Sequence, residues 1–248
     1  MLTTAIFLGV LERDDTLRNY VFSRIMTFIA KGEEMTKTRC ALLENVKGHV
    51  LEVGTGPGTN FRCWGHPDNT ASPSTAAHIS AGSILSYVGL EPNENFANDI
   101  DEEKAKWNLS FPVTMTYESG ESALARLPDA SIDAVVSTHL LCSVGENFII
   151  DSMLRQVSRI LKPGGKFFFL EHVSAEQGTI AHVMQRVLSP LLKVIGNGCE
   201  FKPTGEILEE WEKNNKSRMR LEMTRWLAPM PIPFFQPHVS GSLRKVDV

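Results

Sequence analysis

The sequence predicts a doubly wound α/β fold built on a mainly parallel seven-stranded sheet with a C-terminal antiparallel strand. Short apolar runs rich in β-branched and aromatic residues alternate with segments of helical period. Glycine-bearing turns separate the two kinds of segment. This alternation favours parallel strands joined by right-handed helical crossovers, and 248 residues suffice for one large domain of that kind.

The first 45 residues are expected to form helices that pack on a domain made of residues 46–248. Apolar residues recur at three- or four-residue intervals over residues 16–43, and Gly32 divides this stretch into two helices. The apolar run 1–11 is too short to cross a bilayer core, which needs about 20 residues, and it lacks the basic region of a secretory signal. We expect this run to pack on the domain or to lie at a membrane interface.

The first half of the domain carries three strand patterns. Residues 49–53 are a short apolar run stopped by glycines, which is typical of a buried parallel strand, and residues 87–90 form the second strand. Residues 65–86 are rich in small and polar residues without a period, so we expect an exposed, mobile insertion that ends at this strand. Residues 95–108 have the pattern of a helix, and residues 113–117 alternate as a third strand.

The second half repeats the alternation and then changes direction. Two further strands and the amphipathic helix between them are predicted at residues 132–138, 167–170 and 148–161. The residues Lys162-Pro-Gly-Gly165 are expected to end that helix in a turn, because proline cannot continue a helix. Residues 219–226 and 238–246 flank a proline-rich loop, which predicts a closing antiparallel pair.

Composition and charge exclude several classes of protein. A content of 42% hydrophobic and 22% charged residues argues against disorder, and a net charge of -4 provides no basic field for nucleic acid phosphates. The four cysteines form no C-x-x-C pair, and no metal cluster emerges from their spacing. The simplest interpretation is reduced thiols in a reducing compartment. We therefore expect a cytoplasmic protein, with peripheral contact to an internal membrane through the N-terminus as the alternative.

The most informative stretch is the loop after the first strand, Gly54-Thr-Gly56-Pro-Gly58. Three glycines at alternate positions let the backbone pass close to a ligand, because no Cβ intervenes. The nicotinamide fingerprint G-x-G-x-x-G would place its third glycine at Thr59 or Phe61, and no G-K-[ST] follows to make a phosphate-binding loop. Taken alone, the loop fits a glycine turn that serves packing equally well.

A second signal is Glu91, at the end of the second strand. At this position of a βαβ unit a carboxylate can accept hydrogen bonds from both hydroxyls of an adenosine ribose. Taken alone, an acidic residue at a strand end is more often only solvated. The segment Gly120-Glu121-Ser122 follows the third strand and precedes a loop placed to border an adenine. Order and spacing together favour a nucleoside cofactor.

Over residues 46–170 the sequence resembles the class I S-adenosylmethionine-dependent methyltransferases. Glu52-x-Gly54-x-Gly56 looks like their first motif, Glu91 like their ribose-binding acid, and Leu161-Lys-Pro-Gly-Gly165 like the turn after their helix. The resemblance implies a Rossmann-like fold and S-adenosyl-L-methionine as the cofactor. It implies that the cofactor is bound by Glu52, Gly54, Thr55, Gly56, Gly58, Asn60, Glu91, Pro92, Gly120, Glu121, Ser122, Thr138 and His139.

From residue 46 onward the chain is also similar to the methyltransferase-like 7 family of alkyl thiol methyltransferases. The similarity is carried by Thr138-x-Leu-Leu-Cys-Ser-Val144, Leu170-Glu-His-Val173, Asn197-Gly-Cys199 and Pro237-His-Val-x-Gly241. It implies methyl transfer to a small apolar thiol. The chain departs from the family in its short N-terminal apolar run, in the insertion, and at His139, where the familiar members are apolar.

Methylation of a thiol benefits from a base, because the thiolate is the better nucleophile. The candidates are His139, His172 and His238, although a lone histidine is more often a structural or surface residue. Cys142 and Cys199 are expected to be structural. Two alternatives remain open, namely O- or C-methylation of a lipid-like or quinone-like small molecule and a cofactor-binding scaffold. We expect a small-molecule acceptor and no nucleic acid partner, and the sequence leaves the oligomeric state open.

Overall fold

The computed structural model describes residues 2–29, 32–66, 84–215 and 218–246. The strands of this described part form one seven-stranded sheet: β1 (Gly48–Val53), β2 (Ile84–Leu90), β3 (Val113–Thr116), β4 (Ile132–Thr138), β5 (Leu161–His172), β6 (Met219–Leu227) and β7 (Pro237–Lys245). Their order is β3-β2-β1-β4-β5-β7-β6. The first five strands are parallel, whereas β7 runs antiparallel to both β5 and β6. The predicted fold class and the closing antiparallel pair are confirmed.

The described helices are α1 (Leu2–Arg13), α2 (Asp15–Ile29), α3 (Glu33–Leu43), α4 (Ala97–Trp107), α5 (Gly120–Arg126), α6 (Asn147–Ile160), α7 (Ile180–Ile195) and α8 (Thr204–Asn214). Gly32 stands just before α3, so the predicted break between two helices is confirmed. Helices α4 and α6 also lie where helical periodicity predicts them. None of the described helices is both long and apolar enough to cross a membrane.

The central strands supply side chains to two hydrophobic cores, one on each face of the sheet. Leu51 in β1 and Phe167 in β5 belong to the core that also contains α6 and α8. Their chain neighbours Val50 and Phe168 belong to the core that contains Phe61 and the start of α4. Successive side chains of a strand point to opposite faces. The near-continuous apolar runs of the central strands follow from burial on both faces.

Two sequence-based boundaries are wrong. Residues 84–86, assigned to the insertion, already belong to β2, and residues 67–83 of that insertion lie outside the described part of the chain. The turn expected at residues 162–165 is a bulged start of β5, where Leu161 pairs with Ile132 and the register then shifts. Gly164 accommodates this shift with a φ of 75°. The segment Gly120-Glu121-Ser122 follows β3, as expected, and forms the first turn of α5.

The expectation of reduced thiols is wrong for one pair of cysteines. Cys40 in α3 is joined by a disulfide to Cys63, which ends the 3₁₀ turn Thr59–Cys63 after the glycine loop. The two cysteines are 23 residues apart, so their spacing gave no sign of the pairing. Cys142 and Cys199 are free. The disulfide ties α3 to the turn that supports the glycine loop.

Candidate active site

The glycine loop after β1 lies against the end of β2. The backbone N–H groups of Gly54 and Thr55 both donate to the carbonyl oxygen of Leu90, at 2.9 and 3.2 Å. Gly54, Gly56 and Gly58 have φ values of 76°, 55° and 79°, which favour glycine over any other residue. A Cβ on Gly54 would lie 2.9 Å from Leu140, whereas a Cβ on Gly56 would meet no atom within 4 Å. Gly56 therefore borders open space, and Gly54 is required for packing.

A buried hydrogen-bond network beneath the loop fixes its position. Glu52 accepts from Asn60 Nδ2 at 2.8 Å and from the Tyr87 hydroxyl at 2.7 Å. Asn60 Nδ2 also lies 3.2 Å from the hydroxyl of Thr138, so the network connects β1, β2 and β4. Asn60 Oδ1 is buried without a partner in the described structure. Glu52 thus supports the loop from below, and Asn60 keeps an acceptor free.

Glu91 lies at the end of β2, where the sequence predicted it, and also holds the glycine loop. Its Oε2 accepts from the Gly56 N–H at 2.8 Å, and its Oε1 accepts from the Asn93 N–H at 2.9 Å. A carboxylate has about four lone-pair positions, so two more hydrogen bonds remain available to it. Burial raises the pKa of Glu91, and the two backbone hydrogen bonds oppose this shift.

The other residues predicted to contact the cofactor surround the same edge of the sheet. Pro92 is exposed directly after Glu91. Glu121 and Ser122 are exposed in the first turn of α5, and a Cβ on Gly120 would lie 2.7 Å from Val53 of β1. Gly120 therefore lets α5 begin close to the glycine loop. These positions stay predictions for contact with a ligand.

The structure brings together the three predicted histidines, although they are far apart in sequence. His139 follows β4, while His172 and His238 are Cα partners at the paired ends of β5 and β7. His139 Nε2 lies 3.2 Å from His238 Nε2, and the ring centroids of His139 and His172 are 5.8 Å apart. The φ of His139 is 56°, a conformation that is costly outside glycine and is often found at functional sites.

The hydrogen bonds of the His139–His238 pair define its proton positions. His238 Nδ1 lies 3.0 Å from the carbonyl oxygen of Gln236, so this nitrogen carries the proton and donates. His238 Nε2 is then an acceptor for the N–H of His139 Nε2, which leaves Nδ1 of His139 unprotonated. Burial lowers the pKa of His238 to about 4 and also lowers the pKa of His139 well below its ordinary value. Both rings are therefore neutral near pH 7.

Two free thiols, which were expected to be structural, lie beside the histidines. Cys199 Sγ is 3.4 Å from Cys142 Sγ and 3.0 Å from His172 Nε2. The hydrogen bond from Cys199 lowers the pKa of Cys142 well below that of an ordinary thiol, and the same bond raises the pKa of Cys199. Burial opposes a charge on His172, but the nearby Cys142 thiolate outweighs it and raises the pKa of His172.

Glu171, which sequence analysis did not select, holds the loop that carries His139 and Cys142. Its Oε1 accepts from the backbone N–H groups of Leu140 and Leu141, at 2.9 and 3.0 Å. Burial raises the pKa of Glu171 to about 8. An acidic residue at the end of the apolar run 167–170 was the available sequence signal, because a buried carboxyl must have hydrogen-bond donors.

An aromatic wall, which periodicity did not predict, borders the histidines and thiols. The His172 ring centroid lies 5.1 Å from that of Phe201 and 6.2 Å from that of Phe235. The Trp226 ring lies 5.1 Å from that of His238. We call Phe201, Phe235 and Trp226 the aromatic wall; all three side chains are half-buried. The site therefore combines polar groups with an apolar surface, as small-molecule sites commonly do.

Helix α2 connects the two sides of this edge. The backbone carbonyl of Asn19 accepts from Asn93 Nδ2 at 2.9 Å, next to Glu91. The Asn19 side chain also accepts from Asn197 Nδ2 at 3.0 Å, and Asn197 Oδ1 accepts from Arg18 at 3.1 Å. Asn197 stands two residues before Cys199. The helix thus spans from the loop after β2 to the loop that carries Cys199.

The sequence of this chain is similar to those of known proteins. A family model described as a methyltransferase domain matches residues 30–238. The thiol S-methyltransferase TMT1B of Rattus norvegicus is 34% identical over 200 residues, which cover 79% of this chain and 70% of that protein. The thiol S-methyltransferase TMT1A of Homo sapiens is 30% identical over 218 residues, which cover 84% of this chain and 79% of that protein.

A solved structure supports the fold independently. A SAM-dependent methyltransferase from Methanosarcina mazei superposes with a TM-score of 0.55 at 13% sequence identity, covering 80% of this chain and 92% of that one. At this identity the likeness concerns the fold alone.

The buried position of Glu52 predicts how the free energy of unfolding depends on pH. Burial raises the pKa of Glu52 to about 7 from 4.5, although the hydrogen bonds from Tyr87 and Asn60 oppose the shift. The folded state therefore holds the proton at pH values where the unfolded state has lost it, and the free energy of unfolding falls as pH rises from 4.5 to 7. We expect this loss to reach about 3 kcal/mol, and Glu52→Gln to remove it.

Urea denaturation of both proteins between pH 4.5 and 7 measures the difference in slope. The exposed Glu121→Gln is the matched control and should retain the wild-type slope. An equal slope for wild type and Glu52→Gln would show that Glu52 is charged in the folded state throughout.

Proposed function

We propose that this chain, which belongs to the class I S-adenosylmethionine-dependent methyltransferases in the family that includes the thiol S-methyltransferases, methylates the sulfur of small apolar thiols. The observation that carries the proposal is the cluster of three histidines and two thiols at the ends of β4, β5 and β7, bordered by the aromatic wall. The chain is an enzyme, and its cofactor is S-adenosylmethionine.

The residues on the other side of the edge fit this cofactor. Gly56 borders open space in a conformation that residues other than glycine rarely adopt, and Glu91 keeps two lone-pair positions for ribose hydroxyls. The unpartnered Oδ1 of Asn60 is an acceptor suited to the ammonium group of the methionine part. When bound, the cofactor supplies a methyl group on a positively charged sulfur, which leaves by in-line displacement.

The histidine pair supplies a base for the acceptor. Because its two rings are neutral near pH 7, Nδ1 of His139 can take the proton of a thiol, and His238 fixes the tautomer that leaves this nitrogen free. Glu171 keeps the loop of His139 in place through two backbone hydrogen bonds. The chain thus binds, orients and deprotonates the acceptor.

The aromatic wall favours an apolar acceptor of limited size. Phe201 and Phe235 contact each other and the His172 ring, with centroids 5.5 Å apart for the two phenylalanines. Removing apolar surface from water contributes about 25 cal/mol per Å², so an alkyl or aryl group placed here gains binding free energy.

The first prediction concerns Glu91. We expect Glu91→Ala to weaken binding of S-adenosylhomocysteine at least about tenfold in calorimetry, because a charge-assisted hydrogen bond contributes roughly 1.5–3 kcal/mol. The exposed Glu94→Ala, three residues further on, is the control. A 2′-deoxyribose analogue of S-adenosylhomocysteine separates the ribose contact from support of the glycine loop. Wild type should bind the analogue more weakly than S-adenosylhomocysteine, whereas Glu91→Ala should bind both ligands with the same affinity. Equal affinity of folded Glu91→Ala and wild type would contradict the assignment.

The second prediction concerns His139. With the cofactor saturating, we expect His139→Ala to lower kcat/KM for an alkyl thiol at pH 7 by about 10²–10⁴-fold, the usual contribution of a general base. An acidic aryl thiol, already ionised at this pH, should be affected much less. His49→Ala is the control, because His49 bonds Ser86 at the opposite end of the sheet. Equal losses for both thiols would assign His139 to positioning and not to proton transfer.

The third prediction tests the acceptor class. A panel of alkyl thiols, aryl thiols, phenols and quinols of matched size should show the highest kcat/KM for the thiols, and Phe235→Ala should raise KM most for the most apolar of them. Faster methylation of phenols or quinols than of any thiol would overturn the proposal. It would support O-methylation in the same cleft.

A further inference from the structure

Two thiols and an imidazole from separate segments converge next to the His139–His238 pair. Cys142 follows β4, His172 ends β5, and Cys199 follows α7, yet their ligand atoms all lie within 4.8 Å of one another. We propose that these three side chains bind a zinc ion and that its fourth coordination position takes the sulfur of the acceptor thiol. The zinc site is independent of the proposed function, whereas the identity of its fourth ligand rests on it.

The interatomic distances are close to those of a tetrahedral zinc site. With Zn–S bonds of about 2.3 Å and Zn–N bonds of about 2.0 Å, two sulfurs lie about 3.8 Å apart and a sulfur and a nitrogen about 3.5 Å apart. The observed Cys142–Cys199 separation is 3.4 Å, and that between Cys199 Sγ and His172 Nε2 is 3.0 Å. All three ligand atoms lie within 4.8 Å of one another, so side-chain shifts of about one ångström or less bring them to these distances around an ion.

Hydrogen bonds and strand pairing around the three ligands already hold them in this arrangement. The Glu200 N–H donates to the Cys142 carbonyl at 3.0 Å, which joins the two cysteine-bearing loops. Lys202 holds the loop that carries Cys142, because its Nζ donates to the backbone carbonyls of Leu141, Val144 and Gly145. His172 is fixed by the pairing of β5 with β7. A preformed ligand set lowers the conformational entropy that metal binding must overcome.

The composition of the cluster favours zinc over a disulfide. Two thiols and an imidazole are soft to intermediate ligands of the kind that zinc prefers, and three protein ligands with an open position distinguish catalytic from structural zinc sites. A Cys142–Cys199 disulfide would need an S–S distance of about 2.05 Å and would leave His172 without a function there. The convergence of His172 on Cys199 is explained by a shared ion.

The open position supplies what thiol methylation requires. A thiol that coordinates zinc is deprotonated. The acceptor R–SH gives its proton to Nδ1 of His139, whose ring centroid is 5.8 Å from that of His172, and binds zinc as a thiolate. A sulfur electron pair then forms the bond to the methyl carbon while the electron pair of the old C–S bond stays on the cofactor's sulfur. The product R–S–CH₃ is a neutral thioether and a weaker ligand, so it leaves.

The test begins with metal content. Protein produced with added Zn²⁺, with the Cys40–Cys63 disulfide intact and Cys142 and Cys199 as free thiols, should contain one zinc per chain by elemental analysis, and replacement by Co²⁺ should give thiolate-to-cobalt absorption. Cys142→Ser, Cys199→Ser and His172→Gln should each weaken Zn²⁺ binding by at least about tenfold, whereas His182→Gln, in α7, should not. Folded wild-type protein with free thiols that binds neither ion would overturn the site, whatever the variants do.

The fourth position is tested on the Co²⁺ protein without cofactor. Propanethiol should increase the thiolate-to-cobalt absorption, and methyl propyl thioether at the same concentration should not. An unchanged spectrum with propanethiol would overturn the role of the open position. Full thiol methylation by metal-free protein would overturn it as well while the proposed function stands. Zinc binding without any methylation of thiols would instead contradict the proposed function.

Discussion

Three buried carboxyl groups hold the loops at the carboxyl edge of the sheet, and the site depends on them. Glu52, Glu91 and Glu171 each lie near the end of a central strand and accept hydrogen bonds from the segment beside it. Each is buried at a cost in free energy, visible in its raised pKa, and each offsets that cost with two donors. Because loops lack the ladder hydrogen bonds of strands, these acceptors give the glycine loop and the His139 loop a single position.

We propose that the cofactor and the acceptor bind on two sides of this carboxyl edge. The loops after β1 and β2 carry the backbone and carboxylate groups that we propose bind the cofactor. The histidines, thiols and aromatic rings that we propose bind the acceptor lie around the ends of β4, β5 and β7 at this edge. Ligands of open α/β sheets bind at this carboxyl edge. The antiparallel strand β7 places His238 beside His172, which a purely parallel sheet with a crossover helix at that position would not do. Helix α2 joins both sides through Asn19.

Sequence reasoning predicted the strands, the glycine loop and Glu91, because their signals are local: apolar runs, glycines at alternate positions and an acid at a strand end. It selected all three histidines but not their contacts, since residues 139, 172 and 238 meet only through strand order. The convergence of Cys142, His172 and Cys199 was missed for the same reason, because the two thiols are 57 residues apart. The Cys40–Cys63 disulfide and the bridging contacts of α2 depend on tertiary packing, which periodicity does not encode. Helix α7 was also missed, although its apolar residues have a helical period.

The central claim is that cofactor and acceptor meet across this edge, with the sulfur of the acceptor at the thiol and histidine cluster. A crystal structure of the protein with S-adenosylhomocysteine and propanethiol tests it most directly. The account predicts ribose hydroxyls on the Glu91 carboxylate, and the propanethiol sulfur among Cys142, His172 and Cys199 with its alkyl chain on Phe201 and Phe235. Propanethiol bound elsewhere, or a cofactor whose ribose lies away from Glu91, would contradict the account.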